Sequence, residues 1–506
     1  MAPYLAQHRG QLELDLVPGK RAGAFILGAP VGHVIRLLQT EPTLVPKVDL
    51  KYVEEDPLAE AIVLSLTVRA TNPDSPASTE RPPPSDAEAC GAHISLLFDP
   101  STQRLKLISI HDLYKTSGPA LRLLYRQTEC HSNRAVTTGL LVNRLFGPTH
   151  PGTFAADTGV FTLAYPGISF EFTIPERHRA LFSPASEAKV PHGARQGLAN
   201  DHNLLEFPDG TTPQCRTIYV YGPGSNWQAA AVPSITQYGA QYRSLSPVSM
   251  LTCLQSVHAQ PGTGITVLLT DIGTRSDEAH TANRQVEIRL GQTTAQDLIA
   301  DLGQPATVFY KNDDKMSIHA AEATDSSADV ELPCPVVETL GGPLQESPDL
   351  GSSSDGQTSQ PQERMAARAP VVLKTTDQVP ASRDYFYNYY EYGFDVLLDG
   401  SNHRCKKVLL HTNVPGHYDF GRYQKCFFAL NIASGSDTSP AQAEAICHDS
   451  KWDTVRALFD QTPGEPVIFN RGSSEQNPFG PTLFYGHRGL IFEVMQNGYI
   501  PTVTLF

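Results

Sequence analysis

Residues Ile94 to His111 read ISLLFDPSTQRLKLISIH, and residues Phe394 to His411 read FDVLLDGSNHRCKKVLLH. They align without a gap at an offset of 300, with six of eighteen positions identical: Leu97/Leu397, Asp99/Asp399, Ser101/Ser401, Arg104/Arg404, Lys106/Lys406 and His111/His411. In each copy an apolar run enters Asp-x-Ser-x-x-Arg and an alternating apolar run leaves it, which is the pattern of strand, turn, strand. Asp and Ser side chains bond nearby backbone and hold such turns. Arg104 and Arg404 are placed to pair with Asp99 and Asp399 across the hairpin. These residues, with His111 and His411, read as structural and repeat-defining rather than catalytic.

Two further blocks recur in the same order. Upstream, Leu27-Gly28 precedes Val34, Ile35, Leu37 and Leu38, as Leu290-Gly291 precedes Leu298, Ile299 and Leu302. Each reads as a strand end, a glycine and a short amphipathic helix. Downstream, Phe146-Gly-Pro-Thr149 and Phe479-Gly-Pro-Thr482 each lead into a hairpin pattern. The first turns at Pro166-Gly167, and the second at Asn497-Gly498, a strong hairpin signal.

The expected fold is therefore α+β. It has two repeated units, each a short helix plus a mainly antiparallel sheet. The first unit spans 10–180 and the second 278–506, with a β-rich region over 181–277 between them. Two stretches read as disordered inserts, 71–91 and 320–382. The second has no Phe, Tyr or Trp, so it has too little apolar surface to offset its chain entropy.

The chain has 506 residues and a net charge of −14, half of it in 320–382. An acidic balance disfavours nucleic acid and anionic lipid. The eight cysteines are scattered and form no Cys-x-x-Cys, the usage of reduced cytosolic thiols. No apolar leader and no membrane-length apolar run is apparent, so a cytoplasmic location is expected.

No phosphate-binding loop, zinc-protease motif, nucleophile elbow or kinase signature occurs. Cys90 and His93 form half of a zinc spacing, with no second half. No catalytic, cofactor or metal residue is assigned. His411 and His417 flank a Pro-Gly turn and read as satisfied imidazoles before they read as ligands. The run Tyr385-Phe-Tyr-Asn-Tyr-Tyr-Glu-Tyr392 reads first as a core strand and second as a protein-binding surface, since tyrosine gives contact area with a polar tip. The surface candidates are Tyr385, Tyr387, Tyr389, Tyr390, His417 and Tyr418, with a basic cluster at Arg404, Lys406 and Lys407.

Several long blocks resemble one family. They are Val308 to His319, Tyr385 to Tyr390, Val408 to Tyr418 and Ile491 to Asn497 in the second half, with Gly91 to Leu113 and Phe146 to Gly152 in the first. Together they are similar to the phagosome assembly factor family, also called macroautophagy and youth optimizer. The resemblance implies a non-enzymatic adaptor in autophagy, recruited from the cytoplasm to the phagophore assembly site. It also implies a complex with a WD-repeat β-propeller protein and indirect association with phosphoinositide membranes. It carries no catalytic residues. The competing readings are a small-ligand or lipid-binding module with a cleft between the repeats, and an enzyme with an unfamiliar site.

Overall fold

The quoted hairpins form as their sequences predict. Strand His93–Phe98 pairs antiparallel with Leu105–His111, and Phe394–Leu398 with Cys405–His411. The Asp99 carboxylate accepts from the Ser101 hydroxyl and the Thr102 amide, and Asp399 accepts from the Ser401 amide at 2.7 Å. Arg104 and Arg404 do not pair with these aspartates through their side chains. They close each turn by backbone, the Asp99 and Asp399 amides donating to the Arg104 and Arg404 carbonyls at 2.9 Å. The Arg404 guanidinium turns away to the Gly291 carbonyl, because the Ser and backbone donors already hold the aspartate.

In this computed structural model the described residues are 5–8, 11–68, 92–113, 121–132, 135–147, 152–179, 182, 207–224, 226–246, 250–275, 278–311, 383–431, 446–459, 464–470 and 479–506. The expected inserts at 71–91 and 320–382 lie outside them. The chain divides into two units, Met1–Tyr310 with Asp384–Phe506, and Lys311–Arg383. Both repeats belong to the first.

Each repeat contains one large sheet and one smaller one. The first large sheet runs, in spatial order, Lys47–Lys51, Ile62–Thr67, His93–Phe98, Leu105–His111, Cys215–Tyr221, Ile168–Thr173, Val160–Tyr165, Thr153–Ala155. The second runs Thr307–Tyr310, Tyr385–Tyr389, Phe394–Leu398, Cys405–His411, Thr502–Leu505, Leu490–Val494, Thr482–His487, Val467–Phe469. Among the described residues both have eight strands, and they match position by position. The smaller sheets match too. Each contains one parallel pair, Gln11–Val17 with Leu121–Tyr125 and Met250–Gln260 with Phe428–Leu430.

The inward faces of each large and small sheet share one core. Leu12, Leu14, Leu123, Ile94, Phe170 and Ile218 meet in the first repeat; Val257, Val267, Phe394, Phe492, Val503 and Leu505 meet in the second. Strict alternation in Gln11–Val17 puts Leu12, Leu14 and Leu16 inside, as a one-sided strand requires.

The glycine-helix blocks are equivalent in detail. Gly28 and Gly291 donate their amides to the Leu105 and Cys405 carbonyls, each at 2.7 Å, and helices Val31–Gln39 and Ala295–Leu302 follow. The Phe-Gly-Pro-Thr pairs are not equivalent. Phe146 ends helix Gly139–Phe146, before edge strand Thr153–Ala155. Phe479 lies after the matching edge strand Val467–Phe469. The Asn497-Gly498 turn also has a different counterpart from the one expected. It joins Leu490–Val494 to Thr502–Leu505, strands whose first-repeat equivalents are separated by residues 174–214. The true partner of the Gly167 turn is Gly489 (φ +83° and +80°).

This insertion explains the reading of 181–277 as an intervening region. Its described strands belong to the repeats: Cys215–Tyr221 pairs with Leu105–His111, and Met250–Gln260 and Gly264–Arg275 open the second small sheet. Between them, helix Ile235–Leu245 starts with a Ser234/Gln237 capping box and packs Tyr238 against Gly28 and Gly239 against Ile272, touching both repeats.

One buried imidazole, His131, and one half-buried, His33, make the first repeat acid-sensitive. Burial lowers His33 and His131 from the ordinary 6.5 to about 4, and the Nε2 of each lacks a hydrogen-bond partner among the described residues. Their neutral forms are favoured in the folded chain, so the unfolded chain binds more protons below 6.5. Stability is therefore full above 6.5 and falls as pH drops toward 4, by about 3 kcal/mol for His131 alone. In urea titrations from pH 7 to 4.5, His131→Gln is expected to flatten this acid limb. An unchanged limb contradicts the assignment.

Candidate functional site

The segment 412–427, between Cys405–His411 and Phe428–Leu430, builds the junction of the two repeats. Asn413 and Gln103 exchange hydrogen bonds while buried: Asn413 Nδ2 donates to Gln103 Oε1 at 2.8 Å, and Gln103 Nε2 to the Asn413 carbonyl at 2.7 Å. The Gly421 amide donates to Asn413 Oδ1, so every polar atom of the Asn413 amide group is used. Lys425 is 4 % exposed. Its ammonium donates to the Ser101 carbonyl at 2.7 Å and pairs with Asp449. Burial lowers its pKa. Farther out, Tyr499 donates to Asp56, and Asn497 Nδ2 to the Glu54 carbonyl at 2.9 Å.

The same segment folds over the outer face of its own large sheet. His411 Nε2 meets Asp395 Oδ2 at 3.0 Å, and Tyr423 Oη donates to that oxygen at 2.7 Å. The Tyr423 ring lies flat on the His411 imidazole, centroids 3.7 Å apart. Burial and Asp395 push the Tyr423 hydroxyl pKa up. Beside this pair, His417 Nδ1 accepts from the Asp419 amide, which leaves Nε2 to donate to Glu493 at 3.2 Å. Thr482 donates to the same carboxylate oxygen. All are buried.

His417 is therefore not a surface residue. It is 5 % exposed, because its ring seats on Glu493. Its neighbour Tyr418 is 55 % exposed. Tyr385 and Tyr389 also leave the surface set. They lie at 7 % and 3 %, since Tyr385–Tyr389 sits between two partner strands. Their hydroxyls reach His403 Nδ1 and the Gly303 carbonyl. Tyr387 and Tyr390 are half-buried, and Tyr390 Oη is held by Thr307 and Arg422.

Within the basic cluster, one of the three cations, Lys406, is held by carboxylates. Lys406 lies 3.0 Å from Asp384 and 3.1 Å from Asp399, whose hydrogen bonds raise its pKa. Lys407 sits over the Phe506 ring at 5.1 Å. Were the cluster holding an anionic headgroup, losing two cations would cost ~2 kcal/mol, about thirty-fold in affinity. Lys406→Ala with Lys407→Ala is expected to leave cosedimentation with phosphoinositide vesicles within about two-fold of the parent. A thirty-fold loss contradicts this.

Sequence reading missed a cleft of about 890 Å³ on the outer face of the first large sheet. It lies on one repeat, not between the two. Short side chains at Thr162, Ala164 and Ser169 leave it open. Glu171 accepts from Tyr219 Oη at 3.0 Å, and Trp227 stacks flat on Tyr219 at 4.3 Å. Burial raises the Glu171 pKa. His111 lines one end, its Nδ1 3.5 Å from the Thr217 hydroxyl. The one signal in the sequence was the His111/His411 match. No group of three or more His, Cys, Asp or Glu is placed to hold a metal among the described residues. No helix among them is long and apolar enough to cross a membrane.

Fold and junction define a duplicated two-sheet α+β protein whose halves are locked by a segment of the second. The family model described as Phagosome assembly factor 1 matches residues 88–332 and 350–506, and the chain belongs to that family. An Arabidopsis thaliana PHAF1 protein is 30% identical, covering 98% of this chain and 93% of its own. PHAF1 proteins of Drosophila melanogaster and Caenorhabditis elegans are each 27% identical, over 98% and 95% of this chain and 94% and 90% of theirs. No solved structure matches. The family name is that of an assembly factor and accords with an autophagy-related role.

Proposed function

We propose that this chain is a non-enzymatic adaptor in autophagy. It acts from the cytoplasm at the phagophore assembly site, in complex with a WD-repeat β-propeller protein, and reaches phosphoinositide membranes through that complex. The observation that carries the reading is the family match along most of the chain. The sheet edges add physical support. In the outermost strands of the second large sheet, Phe309 is 59 % exposed, Val467 68 % and Ile468 71 %. Among the described residues no further strand pairs with these edges, and an exposed apolar edge is a template for another chain.

The test is autophagic flux in cells lacking the chain. Re-expression is expected to restore flux, and the re-expressed chain to recover a WD-repeat propeller by pull-down. Unchanged flux on removal of the chain would overturn the autophagy role.

A further inference from the structure

We infer that the cleft on the outer face of the first large sheet is a peptide-binding site, and that it takes a segment of a partner protein carrying a side-chain N–H donor and, a few residues on, an aromatic ring. The two repeats carry equivalent outer faces. Glu171 stands opposite Thr217 in its sheet, and Glu493 stands opposite Thr502. His411 pairs with Thr502, and the quoted alignment makes His111 its equivalent. The two outer faces thus present the same three groups, Glu, Thr and His, in the same register.

What differs is the cover. In the second repeat the chain's own segment 412–427 fills the face. His417 Nε2 donates to Glu493, and the Tyr423 ring lies on His411. The matching link in the first repeat, residues 112–120, is shorter. Among the described residues Glu171 receives one donor, the Tyr219 hydroxyl, where Glu493 receives two. The floor differs in the same sense: Thr162, opposite Glu171, stands where the second repeat has Phe484 opposite Glu493.

Charge agrees with a basic or imidazole donor. Asp157 and Glu171 line the cleft against Arg216, and Asp112, which faces His93 at 4.0 Å, lies on its rim. Trp227 on Tyr219 adds an aromatic wall, of the kind that takes up side chains in a polar-rimmed interface. The occupied face of the second repeat is the template for the ligand of the first: a donor on the glutamate and a ring on the histidine. This deepens the adaptor reading by naming what is held. A pull-down without a propeller would overturn that reading and leave this one standing.

The probe is a synthetic peptide of residues 412–424, TNVPGHYDFGRYQ, added to the intact chain. Binding is read by tryptophan fluorescence, since Trp227 lines the cleft and the other tryptophan, Trp452, is buried in the second repeat. The expected result is saturable binding with a dissociation constant below ~1 mM. Glu171→Gln in the chain is expected to weaken it about ten-fold, as is His417→Ala or Tyr423→Ala in the peptide. Thr162→Phe, which copies the second repeat, should block the cleft. It serves as the second variant if Glu171→Gln fails to fold. No saturation by ~1 mM, or equal binding by parent, Glu171→Gln and Thr162→Phe, overturns the inference.

Discussion

Asp395→Ala is expected to lower the unfolding free energy by about 3–5 kcal/mol, read as a shift of the urea midpoint at constant slope. Asp395 is 4 % exposed and accepts from both His411 and Tyr423 through one oxygen. Alanine leaves two buried donors without an acceptor. An unmade buried hydrogen bond costs the desolvation of each group left behind, about 1–3 kcal/mol apiece. The damage spreads because His411 and Tyr423 also anchor the junction segment that carries Asn413 and Lys425 to the first repeat. Adding Tyr423→Phe removes one orphaned donor, so the double variant should recover ~1–2 kcal/mol of the loss. The first repeat carries Ser95 at the matching position and does without this network. A cost under about 1 kcal/mol, the scale of an exposed pair, contradicts the buried geometry.

The second large effect separates two equivalent glycines. Gly167 and Gly489 turn equivalent hairpins with φ of +83° and +80°. Alanine at either costs about 1–2 kcal/mol for the left-handed backbone alone. The added cost differs. A Cβ on Gly167 would strike the amide nitrogen and Cα of Gly19, whose amide donates to the Gly167 carbonyl at 2.9 Å. Backbone at a crossing has little room to move, so a further 1–3 kcal/mol is expected there, in the range of overpacking. A Cβ on Gly489 finds its nearest neighbours at 3.0 and 3.7 Å. Gly167→Ala should therefore destabilise the chain by about 2 kcal/mol more than Gly489→Ala. Equal midpoints for the two variants contradict the close approach at Gly19.

Where the sequence was legible, short-range physics decided the structure. Asp99 and Asp399 cap their turns from two or three residues away, and Leu12, Leu14 and Leu16 alternate onto the core. The signals failed where equivalence depended on long-range pairing. The stretch 174–214 separates in the first repeat two strands that Asn497-Gly498 joins directly in the second, so sequence order alone sets Cys215–Tyr221 outside its own sheet. The two Phe-Gly-Pro-Thr motifs match in letters while lying on opposite sides of their edge strands. The candidate site was harder still. His411 and His417 stand out around their Pro-Gly turn, but whether they face solvent depends on Asp395 and Glu493, which are distant in sequence. The open cleft owes its existence to short side chains at Thr162, Ala164 and Ser169, which carry no motif.

The central claim is that this chain works by holding another protein. Sedimentation velocity of the purified chain mixed with a purified WD-repeat propeller, each at ~10 μM, tests it most directly. The account predicts one faster boundary containing both proteins in equal amounts. Two separate boundaries, each at the rate of the free protein, would contradict it.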